Sequence, residues 1–171
     1  MAGFNRSLSR CLPSLIEHVL EPAQEWAAST SVTYVVSRSA GDFENLWSGE
    51  SGQPEYDFPR AIPRAQLTIL EQPDIDSSIQ PLYRKVVQHR RLETTLEHQI
   101  ARNLLRYLWV LKEAATRIEG QADYVFHTRP DLAFLDPVDF MAATRTKSGR
   151  AFRGIATPSW GWQPNDRFAL M

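Results

Sequence analysis

Three short segments of this chain carry residue types that could hold a phosphate and a sugar. The first is His127-Thr128-Arg129-Pro130-Asp131, which closes a strand-like run beginning at Tyr124. Ligands of open α/β sheets bind beyond the carboxyl ends of strands, so the position is a productive one. Pro130 has no N–H and disfavours helix at Arg129, so the chain must leave regular structure there. Arg129 offers a planar fork for phosphate oxygens, and Asp131 can hold a divalent cation or a sugar hydroxyl. Those are the needs of a nucleotide-sugar site, although the same pair could equally form a surface ion pair that steadies a loop. The second segment runs from Trp160 to Phe168. Trp160 and Trp162 around Gly161 can make a flat apolar floor for a sugar face or a nucleobase, and Asp166 beside Asn165 could accept a proton or orient a hydroxyl. The plainer alternative makes the tryptophans core residues and Asp166 the cap of a helix starting at Arg167. The third is Gly3-Phe4-Asn5-Arg6-Ser7, placed directly before an apolar helical stripe, where backbone N–H groups and Arg6 could hold an anion.

Elements able to position these segments can be read from the periodicity. Leu8, Leu12, Leu15, Ile16, Val19 and Leu20 fall at helical spacing, with Pro13 near the first turn and Pro22 as the stop. Val32 to Ser37 is a continuous β-branched and aromatic run, expected as a strand buried on both faces. Residues 39–64, rich in Gly and Pro, read as a long irregular connection anchored by Phe43, Trp47, Tyr56 and Phe58. Leu67 to Leu70 reads as a second strand, Glu71 to Asp76 as an acidic turn, and Ile79 to His89 as a short helix. The clearest helix spans Thr94 to Ile118, with Leu96, Ile100, Leu104, Leu108 and Leu111 as its expected core stripe, Leu105 and Ala115 widening it, and Gly120 as its left-handed stop. Asp123 to Thr128 then reads as a strand, Pro137 to Ala143 as a short helix capped by Asp136 or Asp139, and Ala151 to Ala156 as a further strand. Strand, long loop, strand, helix, strand argues a single α/β domain over residues 1–171.

Composition narrows the function. Nineteen Lys and Arg against twenty Asp and Glu give a formal charge of -1, so nothing draws a polyanion from a distance and a nucleic-acid binder is not expected. A single cysteine, Cys11, excludes a disulfide scaffold and a Cys-rich zinc module. His18, His89 and His98 lack metal-ligand spacing. No apolar run approaches membrane-spanning length and no signal peptide stands at Met1, so the chain as written reads as soluble. Walker-type, GxGxxG, HExxH and GxSxG motifs are all missing from the sequence, leaving P-loop, dehydrogenase, zinc-protease and serine-hydrolase chemistry without a basis.

Tyr124 to Leu132, with Arg129-Pro130-Asp131 at its centre, resembles the "YDYVIRTRPDL" stretch of a family of candidate glycosyltransferases from plants, algae, bacteria and large viruses. In that family a long helix precedes the motif and a "P-x-W … NDRFAxG" segment follows, similar to Pro158, Trp160 and Asn165-Asp166-Arg167-Phe168-Ala169 here. Gly3-Phe4-Asn5-Arg6-Ser7 is similar to the family's opening "G-x-x-R-S/T". The resemblance implies a GT-A-like fold: a Rossmann-like, mostly parallel sheet with flanking helices that binds a nucleotide-sugar donor. It also implies transfer of a hexose to a glycan or other hydroxyl acceptor. Arg6, Arg129 and Asp131 would then serve the donor. Trp160, Trp162 and Asn165 would serve the acceptor, with Asp166 and Arg129 as the catalytic pair. GT-A enzymes carry an Asp-x-Asp motif that holds a divalent metal on the donor diphosphate. Here Arg129 stands at the first aspartate, leaving Asp131 as the one ligand for Mn²⁺ or Mg²⁺ and letting arginine take over part of the metal's charge.

Against that family the chain lacks the apolar first strand before the Gly-x-x-Arg loop and the continuation beyond Asn-Asp-Arg-Phe-Ala. The expectation is an incomplete GT-A-like domain, with any Golgi or membrane anchor belonging to the missing amino-terminal part. Two functions from different classes follow. One is an active glycosyltransferase, and the other is a catalytically inactive α/β module, a fragment or degenerate relative that keeps nucleotide or glycan binding.

Overall fold

The computed structural model describes residues 2–3, 8–39, 43–45, 50–52, 62, 65–128, 132–145, 159–160, 163–164 and 168–170. Side chains are described for residues 10–39, 51–52, 62, 65–128 and 132–145. At the centre lies strand β2 (Thr33–Arg38), in which Tyr34, Val35, Val36 and Ser37 are all buried. That unbroken burial is what a strand covered on both faces requires. Strand β5 (Gln66–Glu71) runs parallel to it along its whole length, from Thr33 opposite Gln66 to Arg38 opposite Glu71. The last pair is closed by an ion pair between the Arg38 guanidinium and the Glu71 carboxylate. On the other side, strand β1 (Ala2–Gly3) pairs in parallel with Val35 and Val36. Two residues thus add a third strand to the parallel sheet.

Side chains alternate along these strands, and helices cover both faces. Tyr34 and Val36 of β2 and Leu67 and Ile69 of β5 pack with Leu15, Val19 and Phe140; Val35 and Leu70 point the other way, toward Ile75, Ile79, Leu105 and Val110. The result is an α/β protein with a small parallel sheet between two helical layers.

The first layer is one helical run with a change of pitch. Helix α1 (Leu8–Leu15) passes through Pro13, a π-helical stretch follows (Ile16–Leu20), and α2 (Glu21–Trp26) continues. Pro22 does not end the helix as its position suggests. The Glu21 N–H bonds the Ile16 carbonyl across five residues, which resets the ladder so that Pro22 falls in the first turn of α2, where its missing N–H costs nothing.

The second layer holds the two longest helices. Helix α3 (Gln72–Arg90) occupies the stretch expected as an acidic turn and a short helix. Pro73 and the acidic residues look like turn punctuation, yet Pro73 sits in the first turn, where proline is tolerated, and Ile75, Ile79 and Tyr83 recur every four residues as the buried face. Helix α4 (Thr95–Ile118) starts at a capping box in which the Thr94 hydroxyl accepts from the Glu97 N–H while the Glu97 carboxylate accepts from the Thr94 N–H. Those carboxylate contacts, chiefly to the Thr94 and Glu93 backbone, hold the Glu97 pKa below its ordinary value. Gly120, φ 70°, follows the helix as expected. The face of α4 differs in part from the expectation: Leu96, Ile100, Leu104 and Leu108 are exposed, while Leu105, from the edge of the expected stripe, is buried together with Val110 and Ala114. Small residues explain the choice, because Ala101 and Ala114 allow α4 to lie close against the sheet and a leucine there would hold it off. The helices are tied together by two Arg106–Asp76 bonds of 2.6 Å and by the Tyr83 hydroxyl with His98 Nδ1 at 2.8 Å.

Between α3 and α4, Arg91 takes a left-handed conformation, φ 52° and ψ 53°, where a side chain is strained and glycine is not. Arg91→Gly is expected to stabilise the protein by about 0.5–1 kcal/mol and raise the melting temperature by roughly 2–4 °C, readable by calorimetry. An unchanged or lowered melting temperature would mean that the arginine side chain contributes more than its strained backbone costs.

The connection over 39–64 is not wholly irregular: β3 (Phe43–Asn45) and β4 (Glu50–Gly52) form an antiparallel pair, and Ile62 is buried in the core. The side chains of Phe43, Trp47, Tyr56 and Phe58 lie outside the described residues. Strand β6 (Phe126–Thr128), helix α5 (Phe140–Ala143) and three short strands, β7 (Ser159–Trp160), β8 (Gln163–Pro164) and β9 (Phe168–Leu170), complete the fold. Asp139 caps α5, its carboxylate accepting from the Ala142 N–H at 2.8 Å. The strand expected at Ala151 to Ala156 lies outside the described residues. Among the described residues no helix is long and apolar enough to cross a membrane.

Candidate functional site

The site suggested by the sequence is built around β6. Its last residues, His127 and Thr128, are buried, so the strand enters the core before the chain reaches Arg129. His127 Nε2 lies 3.1 Å from the hydroxyl of Tyr107 on α4. Burial pushes the His127 pKa from 6.5 down to about 4, so the ring is neutral near pH 7 and serves as a fixed hydrogen-bonding group. Tyr107 is the partner that sequence reasoning missed; it lies off the apolar stripes of α4, and nothing local marks it as facing His127.

From Phe134 onward the chain is anchored again. The Phe134 N–H donates to the Ser14 hydroxyl at 3.1 Å and the Val138 N–H to the His18 carbonyl at 2.8 Å, binding this segment to the first helical layer. Phe126 packs edge-on against Phe140, with ring centroids 5.4 Å apart, and Trp26 stacks on Phe140 at 5.7 Å. The described residues on either side, Thr128 and Phe134, are thus both tied to the helical layers.

Strand β9 pairs antiparallel with β6, with Thr128 opposite Phe168, His127 opposite Ala169 and Phe126 opposite Leu170. In this register the residues following β6 and those preceding β9 leave the ladder from the same end. The two most specific sequence segments, Arg129-Pro130-Asp131 and Asn165-Asp166-Arg167, are therefore consecutive with paired residues at one end of one ladder. Trp160 lies in β7, which pairs with β8 through Ser159 opposite Pro164 and Trp160 opposite Gln163. The segment that carries the tryptophans thus contains a short antiparallel pair. Arg6, Arg129, Asp131, Trp162, Asn165 and Asp166, and the side chain of Trp160, lie outside the described residues.

No cluster of three His, Cys, Asp or Glu suited to a metal occurs among the described residues. The single carboxylate expected to meet Mn²⁺ or Mg²⁺, Asp131, lies outside the described residues. Within the described ladders β6 joins β9 and not the three parallel strands.

A cavity of about 540 Å³ is lined by residues 29–33, at the start of β2, and by residues 121–128, along the whole of β6 as far as Thr128.

The class that fold and site define is an α/β protein with a parallel sheet between helical layers and two polar segments at the ends of paired strands. The chain matches no protein-family model, no curated protein and no solved structure.

Proposed function

We propose that this protein is a glycosyltransferase with a GT-A-like, Rossmann-like nucleotide-sugar fold, moving a hexose from a nucleotide-diphosphate donor to a hydroxyl acceptor. The observation that carries the reading is the β6–β9 register, which leads the segments read as donor-binding and acceptor-binding away from the same end of one ladder. Topology supports it further. The sheet order β1-β2-β5 runs outward in chain order, and the chain then crosses through α3 and α4 on the opposite face before β6. A doubly wound sheet changes face in this way at its switch point, where ligands bind beyond the strand carboxyl ends. Arg6, which follows β1, and Arg129, which follows β6, both come after such ends.

In this mechanism Arg129 stabilises the charge developing on the departing diphosphate, with Arg6 in support. Asp131 holds the ribose or, where a divalent cation is bound, helps to hold the cation that screens the diphosphate. Asp166 receives or orients the acceptor hydroxyl beside Asn165, and Trp160 and Trp162 form the apolar floor on which the acceptor lies.

The test is a thermal-shift titration with UDP, GDP, UDP-glucose and GDP-mannose, with and without Mn²⁺. At a hundred times its dissociation constant a ligand adds about 2.7 kcal/mol of stability. One nucleotide is expected to raise the melting temperature, and Arg129→Ala to abolish the rise while lowering any turnover by roughly 10² to 10³. A shift without sugar transfer or donor hydrolysis would mark a non-catalytic binding module. No shift from any of the four, on folded protein, would remove the donor site.

A further inference from the structure

We propose that α4 is a dimerisation helix: its outer face packs, antiparallel, against the same face of a second copy of this chain. Four of the eight large apolar side chains exposed among the described residues lie there, Leu96, Ile100, Leu104 and Leu108, each 37–54% exposed. Spaced four apart, they form one of the rows by which packed helices interlock. A continuous apolar row left in water marks an interaction surface.

The fold keeps this row open. The buried residues of α3 end at Tyr83 and those of α4 begin at Leu105, and from Arg84 to Leu104 no residue is buried. This half of the helical hairpin therefore carries little of the core. Helix α3 grips α4 through the Tyr83–His98 and Asp76–Arg106 contacts, and His98 and Arg106 each stand two residues from members of the row. Positions two apart on a helix do not share a face, so the row points away from α3.

The charges at its two ends select the occupant. Exposed Glu93 precedes the row, Glu97 flanks its first members, and exposed Lys112 follows Leu108 at the same spacing. The Glu97 carboxylate is held in the capping box, and the Lys112 ammonium lies 4.4 Å from the centre of the Trp109 ring. Among the described residues neither Glu93 nor Lys112 makes an ion pair. A two-fold axis midway between Ile100 and Leu104 sets Leu96 against Leu108, Ile100 against Leu104 and Glu93 near Lys112 of the copy. A parallel copy would bring like charges together. A row complementary to its own reverse fits a second copy of itself. None of the residues assigned to donor or acceptor takes part, so the proposal does not depend on sugar transfer.

Sedimentation velocity over a range of protein concentrations is the test. The chain is expected to pass from monomer to dimer as its concentration rises. Ile100→Gln combined with Leu104→Gln should weaken association by about a hundredfold or more, because each lost apolar contact counts twice in a symmetric pair. In dilute protein the row is in water, so this variant should melt within about 2 °C of the parent. Glu93→Lys and Lys112→Glu should each weaken the dimer by about tenfold, and the two together should restore it. A monomer at every concentration would overturn the proposal, and so would a dimer that the glutamine pair leaves intact. Charge reversals whose losses add instead of cancelling would equally rule out the antiparallel copy.

Discussion

Lowering the pH from about 7.5 to about 4 is expected to remove about 3 kcal/mol of stability through one side chain, His127, whose pKa is pushed from 6.5 down to about 4. Burial between β6 and α4 is the cause: the neutral ring sits beside the Tyr107 hydroxyl, and a charged ring there would lose its hydration. The sign follows from the two states. Below about pH 6.5 the unfolded chain takes up a proton that the folded chain refuses, so stability falls as pH falls. Near pH 4 the folded form accepts the proton as well and the loss levels off. Other groups titrate over the same range, so the measurement is a difference: urea unfolding of the parent and of His127→Gln at several pH values. The glutamine keeps a polar group near Tyr107 and does not titrate. The parent should lose about 3 kcal/mol more than the variant between the two limits. Parallel pH profiles would mean that His127 is hydrated and that the base of the candidate loop is looser than its burial implies.

The second large effect separates two neighbouring leucines on α4. Leu105→Ala is expected to cost about 2–5 kcal/mol, because the side chain is 7% exposed and packs among Ile79, Tyr83 and Val110. Leu104→Ala, at a residue 54% exposed, should change stability by no more than about 0.5 kcal/mol. Both leave the same helix former in the same helix, so propensity nearly cancels and the difference reports burial alone. Urea midpoints at unchanged slope would measure it. Equal losses for the two variants would show α4 rotated so that Leu96, Ile100, Leu104 and Leu108 meet the core, as the periodicity of the sequence suggests.

That contrast explains much of what was legible and what was not. The strands from Val32 and Leu67, the helix from Thr94 and its left-handed stop at Gly120 follow from local signals that act over a few residues, and each appears within a residue or two of its expected place. Helix α3 was hidden because Pro73, Pro81 and the acidic residues resemble a turn, while its buried face of Ile75, Ile79 and Tyr83 matters only against a sheet that local reading does not contain. The face of α4 turns away from its leucine-rich stripe, all but Leu105, for the same reason. Leucines mark a stripe more loudly than alanines, but it is the alanines that let the helix approach β2.

For the candidate site, the Arg-Pro-Asp and Asn-Asp-Arg segments stand out in the sequence by residue chemistry alone, as does the position of the first at the end of a strand. Their nearness required the β6–β9 ladder, which joins residues about forty positions apart. Tyr107 beside His127 was equally beyond local reading. The sequence by itself determined which residues could hold phosphate, sugar or proton, and where helix and strand begin, because side-chain chemistry and backbone preference are properties of short stretches. Tertiary structure alone decided which helix face is buried, which histidine is held neutral and which strand ends meet. Those outcomes depend on close packing and desolvation between segments far apart in the chain.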